Sequence, residues 1–214
     1  MSKTLPTMDI PLSTKSEDVL LNDDHGYDFD ERVGDARLCK EIGTEAHKAG
    51  DKERAIKLYE RALYHVAFPD NDWEYEFEEI HKRTVRETRL PIYLNLAAIF
   101  LSQDDDQLVH CKDNCEYALR IDARNVKALY RMGQACLRLD DLDKAKEYLK
   151  KAADVNPKDK AIRDALAECN RRLKVEDEKA KKMWAKSFKD DDKTPSKAAV
   201  AADEPTADVA AAAP

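Results

Sequence analysis

Apolar positions recur with a helical period in three segments of similar length. Each segment has a first run, in which large apolar residues and one small residue stand about a turn apart, and a second run built around alanine-type positions. In the clearest copy the small residue is Gly133, the second run begins near Ala145, and Pro157 closes the segment. A repeat of about 34 residues with this layout is typical of stacked helix pairs. The pattern therefore predicts an all-α array without a β-sheet.

The middle of the chain departs from an even repeat. The loop "SQDDDQ" lengthens the second copy, and roughly 20 further residues separate the first copy from the second. We expect an extended second helix in the first repeat and a long lead into the next helix. Trp73, Tyr75 and Phe77 are spaced two residues apart, and this spacing does not place them on one face of a helix. This segment is therefore expected to start as a loop and to become helical near Glu78.

The pattern changes again towards the end of the chain. Apolar residues from Ile162 to Phe188 keep roughly helical spacing, which predicts a long helix that caps the array. The low-complexity segment beyond Lys189 should be disordered, and the start of the chain should be flexible. The predicted organisation is a flexible tail at 1–26, a repeat domain at 27–189 with repeats at about 36–69, 90–125 and 126–159, an insertion at about 70–89, a capping helix at about 160–188, and a disordered acidic, alanine-rich tail at 190–214.

Composition supports this architecture and limits the function. Five glycines are few for a turn-rich β protein, and 38% charged residues fit long solvated helices. The net charge of -7 argues against a nucleic-acid partner. No stretch is apolar enough for a secretion signal or a membrane span, so we expect a cytoplasmic protein without a membrane partner.

The reactive side chains do not form a catalytic or metal-binding pattern. The five cysteines are odd in number and lack CxxC spacing, which favours reduced, buried thiols over disulfides. His110, Cys111 and Cys115 lack a fourth ligand at zinc-type spacing, and the other histidines are scattered. We expect no metal, no cofactor and no catalytic residues.

Four stretches carry a resemblance to a known family: "CKEIGTEAHKAGDKERAIKLYERAL", "YLNLAAIFL", "NVKALYRMGQACLRLDDLDKAKEYLKKAADVNP" and "DEKAKKMWAKSF". Together they cover roughly residues 30–189. The chain resembles the tetratricopeptide-repeat domain at the C-terminus of the large FK506-binding immunophilins and of the co-chaperones related to the aryl-hydrocarbon-receptor-interacting protein. The resemblance implies three repeats of antiparallel helix pairs in a right-handed superhelix, followed by a long capping helix.

The resemblance also implies a site. In that family the first helices of the repeats line a groove, where five polar positions grip the C-terminal Glu-Glu-Val-Asp tail of heat-shock protein 90 or 70. The matching positions here are Lys40, Thr44, Asn95, Lys127 and Arg131. Thr44 stands where asparagine is usual, although the large immunophilins also have Gly-Thr at this place. The groove neighbours would be His47, Lys48 and Gln134.

These residue types suit a peptide C-terminus on chemical grounds as well. Two nearby carboxylates call for cations from separate helices and for neutral donors that set the direction. Two alternatives remain open. Lys127 and Arg131, one turn apart, could form an ordinary solvated helix face. The fold could also serve as a structural scaffold that binds another protein through "DNDWEYEFEE" or the last helix, with a vestigial clamp.

The end of the capping helix is a second candidate site. Trp184 and Phe188 stand among lysines, which would suit calmodulin or a partner's groove, whereas the alternative is a cap with a basic end. The relatives usually carry a prolyl-isomerase domain of on the order of 100 residues ahead of the repeats. Only about 30 residues precede the first repeat helix here, so we expect no isomerase activity and no enzyme.

Overall fold

The computed structural model describes residues 8–191, with side chains as far as residue 187. Within this range there is no β-strand. The predicted all-α fold of three tetratricopeptide repeats with a long capping helix is confirmed. The helices are α1 Glu17–Asn22, α2 Phe29–Lys48, α3 Lys52–His65, α4 Glu79–Leu101, α5 Leu108–Ile121, α6 Val126–Arg138, α7 Leu142–Val155 and α8 Lys160–Asp191.

The repeats are the helix pairs α2–α3, α4–α5 and α6–α7. The two helices of each pair pack on each other, and α4 also contacts both α2 and α6. Repeats one and three use the same turn, in which a residue with positive φ, Gly50 or Asp140, precedes an aspartate. Those aspartates, Asp51 and Asp141, accept hydrogen bonds from the first turns of α3 and α7. The caps begin both helices by satisfying backbone N–H groups that lack helical partners.

Glycine allows the close approach of the two helices in repeats one and three. A Cβ at Gly133 would lie 2.6 Å from Cγ of Leu149, and one at Gly43 would lie 3.1 Å from Cε1 of Tyr59. Leu149 and Tyr59 are both fully buried. The small position of the repeat pattern is therefore a packing requirement, since any side chain there would push the pair apart.

The prediction of a flexible tail at 1–26 is wrong for the residues described, from Met8 onward. Ile10 and Leu20 are buried in the core, and α1 forms at Glu17–Asn22. Arg37 and Arg61 donate hydrogen bonds to the carbonyls of Ile10 and Leu20. These hydrogen bonds from arginines of α2 and α3 to backbone carbonyls hold the segment in place. The apolar pattern of the sequence does not reveal such contacts.

The insertion also differs from expectation. α3 ends at His65 and is not extended, whereas α4 is 23 residues long and begins at Glu79. Arg32 donates to the carbonyls of His65 and Ala67, and Arg89 donates to that of Val66. Cations that bond the last carbonyls favour the end of a helix at this point.

The segment between α3 and α4 folds back onto an aromatic cluster. Phe68 lies 5.3 Å from Phe29 and 4.8 Å from Phe77 between ring centroids. Asp72–Glu76 form one π-helical turn, and the regular helix follows from Glu79. The prediction that regular helix begins near Glu78 is confirmed.

The capping helix α8 contributes to two compact units of the chain. The first unit ends at Leu173, and the second begins at Lys174. In the first unit Ile162 and Cys169 are buried, and Arg172 donates to the carbonyl of Leu137 at 2.8 Å. In the second unit the described side chains are exposed. The prediction of a disordered tail falls almost wholly on residues 192–214, outside the described residues.

None of the helices described is both long and apolar enough to cross a membrane.

Candidate functional site

The five predicted clamp residues fall on three neighbouring helices. Lys40 and Thr44 lie on α2, Asn95 lies on α4, and Lys127 and Arg131 lie on α6. Because α4 contacts both α2 and α6, the five positions come from three repeats but from one row of helices. Lys127 is exposed, and the other four side chains are half-buried.

Hydrogen bonds join the members on α2 and α4. The Thr44 hydroxyl donates to the Lys40 carbonyl at 2.7 Å, and its Oγ1 lies 3.0 Å from the hydroxyl oxygen of Tyr59. The Asn95 amide donates to that same oxygen at 3.1 Å. Thr44 and Asn95 are therefore linked through Tyr59, a fully buried residue of α3.

Arg131 is fixed against α4. Its guanidinium donates to the carbonyl of Leu94 at 2.9 Å, one residue before Asn95. Burial lowers the pKa of Arg131, although a guanidinium remains cationic over the physiological range. Lys127 stands four residues earlier on the same helix, so both cations project from one face of α6.

A small cleft lies beside Lys40, between α2 and α4. Its volume is about 130 Å³. Its walls carry both signs of charge, from Arg37 and Lys40 on one hand and from Glu41 and Glu87 on the other. Positive charge is therefore confined to a few side chains here, as expected in a chain with a net charge of -7. The full lining is Arg37, Lys40, Glu41, Glu87, Thr88 and Pro91.

The predicted groove neighbours continue the same helices. His47 and Lys48 follow Thr44 by three and four residues at the end of α2, and Gln134 follows Arg131 by three on α6. Residues at these spacings share a helix face. His47 and Gln134 are half-buried and Lys48 is exposed.

The other predicted partner site lies in the second unit. Trp184 is 68% exposed and Met183 is 71% exposed. The side chain of Phe188 is outside the described residues, so a partner site formed by Trp184 and Phe188 stays a prediction.

The cysteines are free and buried, as predicted. Burial raises the pKa of Cys39 to about 12. A hydrogen bond with Cys111, together with burial, raises the pKa of Cys115, whereas the same hydrogen bond lowers the pKa of Cys111. Thiols with raised pKa are poor nucleophiles and poor metal ligands. Within residues 8–191, no group of three or more histidine, cysteine, aspartate or glutamate side chains is placed to hold a metal ion.

The sequence reasoning missed Tyr59. The repeat pattern places an aromatic residue here for packing, and phenylalanine is its usual form. The signal was the hydroxyl: a tyrosine buried at a packing position usually has a hydrogen-bond partner. Tyr59 has two partners, Thr44 and Asn95, and both are predicted clamp residues.

Comparisons with known proteins agree with this architecture. The tetratricopeptide-repeat family model matches residues 126–159. The chain is 31% identical over 185 residues to peptidyl-prolyl cis-trans isomerase FKBP4 of Bos taurus, covering 84% of this chain and 38% of the relative. It is 29% identical over 160 residues to FK506-binding protein 59 of Drosophila melanogaster, covering 74% and 34%. The chain thus spans little more than a third of these curated relatives.

Solved structures give a fuller match. The C-terminal, repeat-containing domain of an FK506-binding protein of Plasmodium falciparum aligns with a TM-score of 0.64 and 31% identity, covering 71% of this chain and 97% of that one. The Hsp90 co-chaperone Cns1 of Saccharomyces cerevisiae aligns with a TM-score of 0.58 and 25% identity, covering 75% and 46%. The chain therefore belongs to the tetratricopeptide-repeat family, in the form found at the C-terminus of FK506-binding proteins.

Proposed function

We propose that the chain is a co-chaperone adaptor that binds the C-terminal Glu-Glu-Val-Asp tail of heat-shock protein 90, heat-shock protein 70 or both. The observation that carries the proposal is the row of Lys40, Asn95 and Arg131 across α2, α4 and α6. Hydrogen bonds link these helices at the site, from Asn95 through Tyr59 to Thr44 and from Arg131 to the carbonyl of Leu94. Cns1, a protein described as an Hsp90 co-chaperone, has the same fold and is 25% identical in sequence over the aligned residues.

The chemistry of the site suits a peptide end. Such an end presents its terminal carboxylate and an aspartate carboxylate close together. Lys127 and Arg131 would hold them from α6 and Lys40 from α2, with the amide of Asn95 between the cations. Each charge-assisted hydrogen bond contributes about 1.5–3 kcal/mol, and ordering a flexible tail offsets part of the sum. Micromolar affinity is the expected result, which suits a transient adaptor.

The role proposed is binding rather than catalysis. The part of the chain that matches known proteins aligns with a repeat domain over 97% of that domain's length. The prediction of no isomerase activity and the predicted cytoplasmic location belong to the same proposal.

Calorimetry with a peptide ending Met-Glu-Glu-Val-Asp tests the proposal directly. The expected result is saturable, micromolar binding that weakens strongly when the peptide C-terminus is amidated, because amidation removes one of the two carboxylates. Raising the salt concentration should weaken binding further, since Lys127 is exposed. Absence of saturable binding, or equal affinity for both peptides, would reject it.

A scaffold role is the second candidate, and one observation favours it. Tyr75 is 82% exposed beside the aromatic cluster of the insertion, in a strongly acidic stretch. Exposed aromatic residues are frequent at protein interfaces. A pull-down with and without excess Glu-Glu-Val-Asp peptide separates the two roles. Partners displaced by the peptide support the adaptor, and partners that remain bound unless Tyr75 is changed to serine support the scaffold.

A further inference from the structure

Tyr59 stands at the centre of a line of hydrogen bonds through the proposed clamp. The line runs from the amide of Asn95 on α4 to the hydroxyl of Tyr59 on α3, then to the hydroxyl of Thr44 on α2 and the carbonyl of Lys40. The three distances are 3.1, 3.0 and 2.7 Å. Tyr59 is fully buried, and its ring lies against Gly43.

The number of hydrogens decides the direction of this line. Three contacts need three hydrogens, and the two hydroxyls supply one each. The Lys40 carbonyl can only accept, so the Thr44 hydrogen belongs to that bond. Tyr59 must then donate to Thr44, and Asn95 must donate to Tyr59. All three bonds point the same way, an arrangement in which each bond strengthens the next.

This direction changes the role expected of Thr44. Its single hydrogen is used on the carbonyl of Lys40, so it has none left for a peptide carboxylate. Asn95 uses one of its two N–H groups on Tyr59 and keeps the second. The donor set of the clamp is then Lys40, Asn95, Lys127 and Arg131, with Thr44 outside it.

We propose that Tyr59 is a positioning residue of the peptide site, which fixes the amide of Asn95 so that its second N–H meets the peptide carboxylate. Thr44 supports Tyr59 by accepting its hydrogen. The inference rests on the proposed function for its ligand. It also explains how threonine replaces asparagine at position 44: the hydroxyl completes the line instead of binding the peptide.

The variant Tyr59→Phe tests this with little change in shape, because it keeps the ring and removes only the hydroxyl. Loss of one oriented hydrogen bond should weaken binding of the free-carboxylate peptide by about 3- to 10-fold. Binding of the amidated peptide should change little. Tyr64→Phe is the matched control, since Tyr64 lies on the same helix and bonds Asp24, away from the clamp.

A double-mutant cycle separates positioning from general destabilisation. If Tyr59 acts through Asn95, then Tyr59→Phe should cost no further affinity in an Asn95→Ala background. Additive losses would overturn the proposal. At position 44, Thr44→Ser keeps the hydroxyl and should bind like wild type, whereas Thr44→Val should behave like Tyr59→Phe. A loss in Thr44→Val that persists in the Asn95→Ala background would show that Thr44 grips the peptide itself.

Nuclear magnetic resonance tests the free protein independently of any ligand. The side-chain amide signals of Asn95, assigned by their absence in Asn95→Ala, should move in Tyr59→Phe and Thr44→Val but not in Tyr64→Phe. Unmoved signals would overturn the proposal even if the peptide binds. If wild type fails to bind the peptide, the proposed function falls, and these spectra still decide whether Tyr59 holds the amide.

Discussion

At the scale of single residues, the two α6 cations of the proposed clamp have different surroundings. Arg131 is half-buried and bonds the carbonyl of Leu94, which ties α6 to α4, whereas Lys127 is exposed. A half-buried cation interacts more strongly with a bound carboxylate than an exposed one, because water screens it less. The two residues should therefore differ in binding and in their effect on stability.

Arg131→Ala should weaken binding of the free-carboxylate peptide by about 1–3 kcal/mol, since it removes a charge-assisted donor. It should also lower the melting temperature slightly, because the hydrogen bond from α6 to the Leu94 carbonyl of α4 is lost. Lys127→Ala should weaken binding less and leave the melting temperature unchanged. Lys150→Ala, an exposed lysine of α7, is the control and should affect neither quantity. Calorimetry and thermal unfolding measure both, and equal binding by all four proteins would contradict the assignment.

His65 is expected to make the stability of the first repeat sensitive to pH. Burial lowers the pKa of His65, and its ring bonds the carbonyl of Leu20 beside Asp35, Arg61 and Lys15. The folded state therefore favours the neutral imidazole, and the unfolded state binds a proton more readily. The resulting stability is present above the unfolded pKa of about 6.5 and is lost as pH falls through the lower folded pKa.

When the melting temperature of the wild type is measured from pH 8 down to pH 5, it should decrease once the pH is below about 6.5. The decline should be smaller in His65→Gln, because a glutamine side chain at position 65 does not titrate. A His65→Gln slope equal to that of wild type would contradict the prediction.

At the scale of elements, the segment before α2 is part of the folded repeat domain. Lys15 pairs with the buried Asp35 at 2.8 Å, and Glu17 of α1 pairs with Arg54 of α3. The carbonyl of Pro11 approaches Gly34 so closely that a Cβ there would lie 2.8 Å away. These contacts hold the segment against both helices of the first repeat.

The contribution of this segment can be measured with two leucines. Leu20 is fully buried and Leu12 is 44% exposed. Leu20→Ala should lower the free energy of unfolding by about 2–4 kcal/mol through lost burial and a cavity. Leu12→Ala should cost less than about 0.5 kcal/mol. Chemical denaturation compares them, and a small cost for both would mean that the segment is not held in solution.

At the scale of the whole molecule, a repeat array needs a closed end, because its last pair would otherwise expose an apolar face. The part of α8 in the first unit supplies that end. Ile162 and Ala165 are buried, and the thiol of Cys169 donates to the carbonyl of Leu142. Each large apolar side chain that is fully buried contributes about 1.5–3 kcal/mol.

A chain ending at Asp159 should therefore melt more than about 5 °C lower than the full chain, because it loses the whole of α8. A chain ending at Leu173 keeps Ile162, Cys169 and Arg172 in place and is the matched control. It should melt close to the full chain. Similar melting of both shortened chains would contradict the capping role.

The elements that sequence analysis predicted well are those set by local interactions. The small residue Gly133 and the second run near Ala145 fall on α6 and α7, the helix pair of repeat three. Helical periodicity acts within a few residues, so it is visible in the chain itself. The N-cap residues Asp51 and Asp141 are equally local, although the sequence analysis did not single them out. The clamp positions were reached through the repeat register and the family resemblance, and their peptide-binding role stays a prediction.

The tertiary structure decided what depends on partners far apart in sequence. Arg32 ends α3 through carbonyls 33 and 35 residues away, and Tyr59 joins Thr44 and Asn95 across 15 and 36 residues. The sequence shows that a residue carries a hydroxyl or a guanidinium, but it does not show which group that side chain hydrogen-bonds. Its partner is determined only when helices pack and bring distant groups within about 3 Å. The sequence by itself determined the repeats, whereas packing decided the ordered N-terminal segment and the hydrogen bonds around Tyr59.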